Sequence, residues 1–473
     1  MKKLLSIALS LFMLVSLLLL SSCLGGNTAE TTDSVSTAPR DEPFCILTYD
    51  VGLEPYPIEE EKIDYGGYEF KILNSFESND MCIYLDPDMT GEILDDCCFE
   101  RNLIAENKFN ILISEERKPY DELADYARSI ILADEALYDA MYIPINELTP
   151  LISENLFHDL LSIDELHIEN IWWDQQTIIK NILDDKLFFA TSDLHAMAFE
   201  RSKCMFFNED MLMEMGLSIS YEDVFWGNFT FDLMKRYCSA VSDLNYSIAV
   251  PDYAPSLMAD AMQAELLTRD DYGRYQFTAD SDKNFKSTWN MLKSFFGENA
   301  DKISRNGEER EVFKEGRSLF LIDELNFARE LKNSMDSFGI LPLPKYDKNQ
   351  ETYEAPYSSD CLAFCIPRTN DELERTGVIV DYLTYESYAE FMPRYYDVTA
   401  PKKSPLREYV IDVLALLRGC RSIEAANAYG WYDGVLTELD MMLENNTELD
   451  DVLASHKEKI VSAIEKTYNE YPE

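Results

Sequence analysis

Basic residues are scarce in this 473-residue chain: 41 Lys and Arg stand against 88 Asp and Glu, a formal net charge of -47. No basic stretch interrupts the acidity, and nucleic acid is excluded as a partner on that ground, because phosphate binding needs clustered Lys and Arg. Histidine is scarcer still. His158, His167, His195 and His456 are the only four, too dispersed for a zinc site or a catalytic triad. Also absent are a Gly-x-Ser-x-Gly elbow, a His-Glu-x-x-His pair, a Gly-x-x-x-x-Gly-Lys loop and a Gly-x-Gly-x-x-Gly fingerprint. Neither a metal nor a cofactor is expected, and the chain is not expected to be an enzyme. A glycosidase needs only two carboxylates about 5–10 Å apart, which so acidic a chain could supply by chance, so that alternative stays open. A disulfide framework is missing too. After Cys23 there remain Cys45, Cys82, Cys97, Cys98, Cys204, Cys238, Cys361, Cys365 and Cys420, an odd and scattered set that reads as buried thiols.

Long apolar runs are confined to residues 4–20, which follow Met1-Lys2-Lys3 and precede Leu20-Ser21-Ser22-Cys23. A charged start, an apolar stretch and small residues before a cleavage point describe an export signal over residues 1–22. The run is marginal for a spanning helix, which needs about 20 apolar residues. Leu20 to Cys23 resembles the lipobox of bacterial lipoproteins, which implies lipidation at Cys23 and a mature chain starting there on the outer face of the cell membrane. Residues 23–63, rich in Gly, Ser, Thr, Pro and acids, cannot bury enough apolar surface to fold alone and read as a tether.

What is present beyond residue 63 is enough chain, roughly 410 residues, for two domains. Tyr68 to Leu73 alternates at period two as a strand should; 95–107 reads as a helix, 109–113 as a second strand, 123–131 as a helix, and 138–143 as a third strand closed by Pro144. That alternation implies a parallel sheet with helical crossovers.

The middle of the chain carries Asp159-Leu160-Leu161, Trp172-Trp173-Asp174-Gln175, Lys186 to Ala190, and Met205-Phe206-Phe207-Asn208-Glu209 through Gly216-Leu217. Later come Asn228-Phe229-Thr230-Phe231-Asp232, Phe313 to Phe320, and Phe338-Gly339-Ile340-Leu341-Pro342-Leu343-Pro344. In this order the segments resemble the family 1 extracellular solute-binding proteins, the carbohydrate-type binding components of ABC importers, with Glu209 where the family usually has Lys. The resemblance implies an α/β, two-lobe, periplasmic-binding-protein-like fold of type 2, each lobe a mainly parallel sheet flanked by helices, with a helical C-terminal region. It places the first lobe at 64–198 plus 316–368 and the second at 199–315 plus 369–473. It also implies a solute held between the lobes and passed to the transmembrane subunits of a permease. A surface sensor or adhesin on the same fold would differ only in its partner.

Sugars show apolar C–H faces and a rim of hydroxyls, so flat aromatics and polar side chains are the groups to seek. Ligands of open α/β sheets lie at the carboxyl ends of strands. Those loops offer Glu77, Asn146 and Glu147; the resemblance adds Asp252 and Tyr253, Asp323 and Glu324 after the return strand, and Tyr395, Tyr396 and Trp431 near the C-terminus. Trp172 and Trp173 complete the candidates, although adjacent rings must point in different directions.

Overall fold

The computed structural model describes residue 56 and residues 63–75, 91–242, 245–305, 307–335, 337–402, 404–432, 434–445 and 447–472. All of them fall within one unit, Pro43–Glu473. Cys23, the signal, most of the tether and Glu77 lie outside the described residues. Among those described, no helix is long and apolar enough to cross a membrane.

Two sheets organise the chain. The first contains β1 (Tyr68–Ser75), β2 (Ile111–Lys118), β3 (Ala140–Pro144) and β12 (Leu362–Cys365), in the order β12-β3-β1-β2. β1 is parallel to both β2 and β3, as the strand-helix alternation implies, and β12 runs antiparallel to β3. The intervening helices Ile93–Phe109 and Tyr120–Leu132 form the crossovers. Phe109, expected to open β2, instead ends the first helix, because Asn110 turns the chain through a left-handed conformation at φ 51°.

The second sheet contains β4 (Lys203–Asn208), β5 (Tyr246–Ala249), β8 (Ile303–Ser304), β9 (Ser318–Glu324) and β10 (Phe338–Leu341), in the order β10-β4-β9-β5-β8. It is mixed: β9 is parallel to β5 and antiparallel to β4. Here the strand pairing differs from the grouping of segments read from the sequence. The return segment from 316 was expected in the first lobe, yet β9 and β10 hydrogen-bond only with strands of the second sheet. Only with β12 does the chain rejoin the first. The helix Leu373–Glu386, expected in the second lobe, packs against the helix Ile93–Phe109 that connects β1 to β2. A hairpin of β6 (Leu267–Arg269) and β7 (Tyr275–Phe277) and the pair β11 (Ala355–Pro356) with β13 (Arg421–Ser422) complete the strands.

Local sequence explains the transition from β4 into its helix. Asn208 caps Glu209–Glu214, its side chain accepting from the Met211 N–H at 3.0 Å. Glu209, which departs from the family pattern, is buried and accepts hydroxyl hydrogen bonds from Ser404, at 2.7 Å, and from Ser337. On the neighbouring β10, a Cβ at Gly339 would sit 2.1 Å from the Phe207 ring, so the strands approach closely only because that position lacks a side chain. The described cysteines, Cys97, Cys98, Cys204, Cys238, Cys361, Cys365 and Cys420, are all buried.

Candidate functional site

The carboxyl end of β3 runs into the short turn Ile145–Glu147, which leaves Asn146 and Glu147 exposed. The Asn146 N–H donates to the Ser359 carbonyl at 2.8 Å and the Ile145 N–H to that of Cys361 at 3.0 Å. These bonds fasten the approach to β12 beside β3. The Tyr120 hydroxyl donates to the Asp360 carbonyl at 2.7 Å, and the Asp360 carboxylate pairs with Arg201, just ahead of β4. The rims of the two sheets meet at this ion pair.

On the second sheet, antiparallel register sets Lys203, the first residue of β4, opposite Glu324, the last of β9. Lys203 Nζ lies 3.0 Å from Glu324 Oε1, donates to the Tyr253 hydroxyl at 3.1 Å, and sits 5.5 Å from that ring's centroid. Burial pulls the Lys203 pKa down, but the Glu324 carboxylate outweighs it and holds the ammonium above its ordinary value. Asp323 is engaged by Arg310, which donates through Nε and Nη2 at 2.6 and 2.8 Å. Asp252 is exposed, and its carbonyl accepts from Arg305 at 2.6 Å.

Lys203 and Tyr253 also line a cleft of 240 Å³. It lies between the helices Ala254–Ala261 and Lys283–Glu298, the β6–β7 hairpin and residues 356–358. Tyr275, Phe285, Trp289 and Tyr432 supply flat walls; Asp260, Glu265, Glu424 and Asp440 supply carboxyls. Asp440 is held by Ser256, whose N–H and hydroxyl both donate to it at 2.7 Å, and burial pushes its pKa up to about 6. Lys180 pairs with Glu424 at 2.5 Å and Glu354 at 3.2 Å. Desolvation works against its charge, but those carboxylates and Asp260 raise its pKa well above the usual value. Asp260 and Glu265 are raised chiefly by desolvation and then by the Glu424 charge, Glu265 to about 8.

That shift has a stability consequence. A carboxyl whose folded pKa exceeds its unfolded value favours the fold below the unfolded pKa, and the benefit is lost as pH rises through the folded one. For Glu265 the window runs from 4.5 to about 8. Glu265→Gln should therefore flatten the fall in melting temperature across that window, removing at most about 1.4 kcal/mol per pH unit of slope. Parallel melting curves for parent and variant would show that this carboxyl carries no linkage.

Of the residues expected at the site, Asn146, Glu147, Asp252, Tyr253, Asp323 and Glu324 stand on the two rims, with Tyr253 alone reaching the 240 Å³ cleft. The remaining described candidates are core. Trp172 and Trp173 are buried and both indoles donate to Asp381 Oδ1 at 2.8 Å. Tyr395 is buried and donates to Glu200 at 3.1 Å; Tyr396, 1% exposed, packs on Phe199. Trp431 is 1% exposed, donates to Thr467 at 2.8 Å and stacks on Tyr429. Each indole or hydroxyl that might have met a ligand is spent or enclosed inside the protein. Sequence reasoning missed Arg201, Asp360, Asp260, Glu265, Trp289 and Tyr432. For Trp289 a signal existed: it follows Phe285 by one helical turn. For Arg201 and Asp360 there was none, because they meet across 159 residues.

No family model matches the chain, and no curated protein sequence does. Its shape nevertheless resembles solved structures. The galacto-N-biose/lacto-N-biose I-binding protein of a Bifidobacterium longum ABC transporter, in complex with lacto-N-biose, aligns over 85% of this chain and 98% of its own at 10% identity and TM-score 0.57. An ABC substrate-binding protein from Listeria monocytogenes, in complex with cycloalternan, aligns over 84% and 99% at 10% identity and TM-score 0.53. UgpB from Mycobacterium tuberculosis, in complex with glycerophosphocholine, aligns over 85% and 99% at 12% identity and TM-score 0.54. The chain has the two-lobe, periplasmic-binding-protein-like fold of ABC-transporter substrate-binding proteins.

Proposed function

We propose that this chain is a lipid-anchored extracellular solute-binding protein that captures a sugar or oligosaccharide between its lobes and delivers it to the transmembrane subunits of an ABC permease. The cleft beside Lys203 and Tyr253 carries the reading. It lies at the carboxyl end of β5, and its walls combine rings for a pyranose face with carboxyl and hydroxyl groups for a hydroxyl rim. Similarity to proteins solved with lacto-N-biose and cycloalternan supports a saccharide ligand.

The chemistry required is reversible binding coupled to closure. The rims contribute polar groups from both sheets, and hinge closure would bring them onto one ligand. The proposed first lobe comprises β1, β2, β3 and β12 with their helices, and the second the sheet from β4 to β10. Lipid at Cys23 would keep the captured solute within reach of the permease, each buried methylene adding about 0.8 kcal/mol to membrane binding.

Thermal-shift screening against a carbohydrate panel tests the ligand class. A sugar at 100 times its dissociation constant should add about 2.7 kcal/mol of stability; a response to peptides and to no sugar would overturn the saccharide reading. For the anchor, the parent expressed in a lipoprotein-processing bacterium should partition into detergent and Cys23→Ala into water. A parent that stays in the aqueous phase contradicts lipidation.

A further inference from the structure

The cleft holds more negative charge than its own cations offset. Glu354 and Glu424 both lean on Lys180. Glu354 is further satisfied by Gln263 at 3.0 Å and Ser422 at 2.7 Å. Asp260 and Glu265 line the same cavity, and neither carboxyl takes a hydrogen bond or ion pair from the described residues. Four carboxyls thus share one ammonium. The neighbouring cations are committed elsewhere: Lys203 to Glu324, Arg201 to Asp360, and Arg269, beyond the Tyr275 ring, to the carbonyls of Ile179, Lys180 and Ile182. Trp289 is 1% exposed, lines the cavity, and its indole N–H has no hydrogen-bond partner among the described residues.

We infer that this cleft selects a saccharide bearing a free basic amine, its ammonium group seated against Asp260 and Glu265 and a hydroxyl or ring oxygen accepting from Trp289. The inference rests on the saccharide reading above and narrows it from sugars in general to cationic amino sugars. Burial and the Glu424 charge favour the protonated form of both carboxyls; an ammonium supplies the opposite charge that lets them ionise, together with donors for the oxygens that result. Tyr275 and Tyr432 also line the cleft, and aromatic rings suit the same cation. An N-acetylated sugar loses the charge and gains an acetyl group, a plain glucose oligomer loses the charge at nearly the same shape, and an acidic sugar meets like charge.

Calorimetric titration with a glucosamine trimer, with its N-acetylated counterpart and with the matching glucose trimer, which carries a hydroxyl where the amine stood, separates charge from shape. At a mildly acidic pH, where the amine is protonated, the free-amine trimer should bind at least about tenfold more tightly, and added salt should erode its affinity more than that of the acetylated one. Glu265→Gln and Asp260→Asn, each near-isosteric and checked for folding by circular dichroism, should each shrink the preference severalfold. Equal or tighter binding of the acetylated trimer, of the glucose trimer or of a galacturonate trimer overturns the inference and leaves the saccharide reading standing. Binding of spermidine with no response to any trimer does the reverse: the cationic selection holds and the saccharide reading falls.

Discussion

Asp193→Ala is expected to lower the unfolding free energy by about 3–5 kcal/mol, because it removes one partner from a fully buried ionic network. Asp193 is 1% exposed, accepts from Arg418 Nε at 2.7 Å, and forms an ion pair with Arg421, whose Nη1 lies 3.0 Å from its Oδ1. Arg421 also reaches Asp174 at 3.2 Å, and Asp174 in turn accepts from the Thr177 and Thr191 hydroxyls at 2.9 and 2.8 Å. Burial works against both guanidinium charges; Asp193 more than compensates and raises their pKa values. Without it two buried cations face one carboxylate. The damage is mainly the stranded charge and not the lost bond, so Asp193→Ala combined with Arg418→Leu should recover part of the stability. Urea denaturation followed by circular dichroism measures both. A loss under about 1 kcal/mol for the single variant would show that water reaches the network and screens it.

The network also has a structural reading. Asp174 caps the helix Gln175–Asn181, Asp193 lies on the path from the first sheet to β4, Arg418 is in the last turn of Arg407–Cys420, and Arg421 opens β13. It therefore clamps the segment that leads from the first sheet to β4 against the helix Arg407–Cys420 and β13.

Asp381→Ala should cost a comparable amount, about 3–5 kcal/mol. Asp381 Oδ1 accepts from both Trp172 and Trp173 at 2.8 Å, and Oδ2 from the Tyr56 hydroxyl at 2.9 Å and His167 Nδ1 at 2.8 Å. Desolvation raises the Asp381 pKa, and those donors pull it back. Alanine would leave two buried indole N–H groups unpaired, at about 1–3 kcal/mol each, together with a small cavity. Tryptophan emission should shift as water enters beside the indoles, and Tyr56 should lose its hold on the Trp172, Tyr382 and Tyr385 rings. An unchanged melting temperature with unchanged emission would contradict a structural role for this carboxylate.

Trp172 and Trp173 illustrate what the sequence could and could not reveal. Adjacent tryptophans were legible as a feature, and their resemblance to a family segment was legible too. Their partner, Asp381, lies 208 residues on from Trp173, and no local pattern connects them. The same holds for β9. Its hydrophobic run was readable, but whether it joined the first sheet or the second depended on hydrogen bonds to β4 and β5, which are far away in sequence. Strand β1, by contrast, announced itself through period-two alternation, because that signal arises from neighbouring residues and the pleat alone.

The sequence by itself carried the first three strands and the two helices between them, the excess of acidic residues, a run ahead of Cys23 that resembles a lipobox, and a segment order resembling the solute-binding family. Tertiary structure decided which aromatics became core and which became cleft wall. Of the tryptophans expected to meet solute, Trp172, Trp173 and Trp431 went inside, and Trp289, which was not expected, came to line the cavity. The reason is physical: periodicity tells which face of an element is apolar, whereas burial and partnering depend on what the rest of the chain packs against that face. The excess of carboxyls around Lys180 has the same origin, since Asp260, Glu265, Glu354 and Glu424 meet only when helix, hairpin and crossing segments fold together.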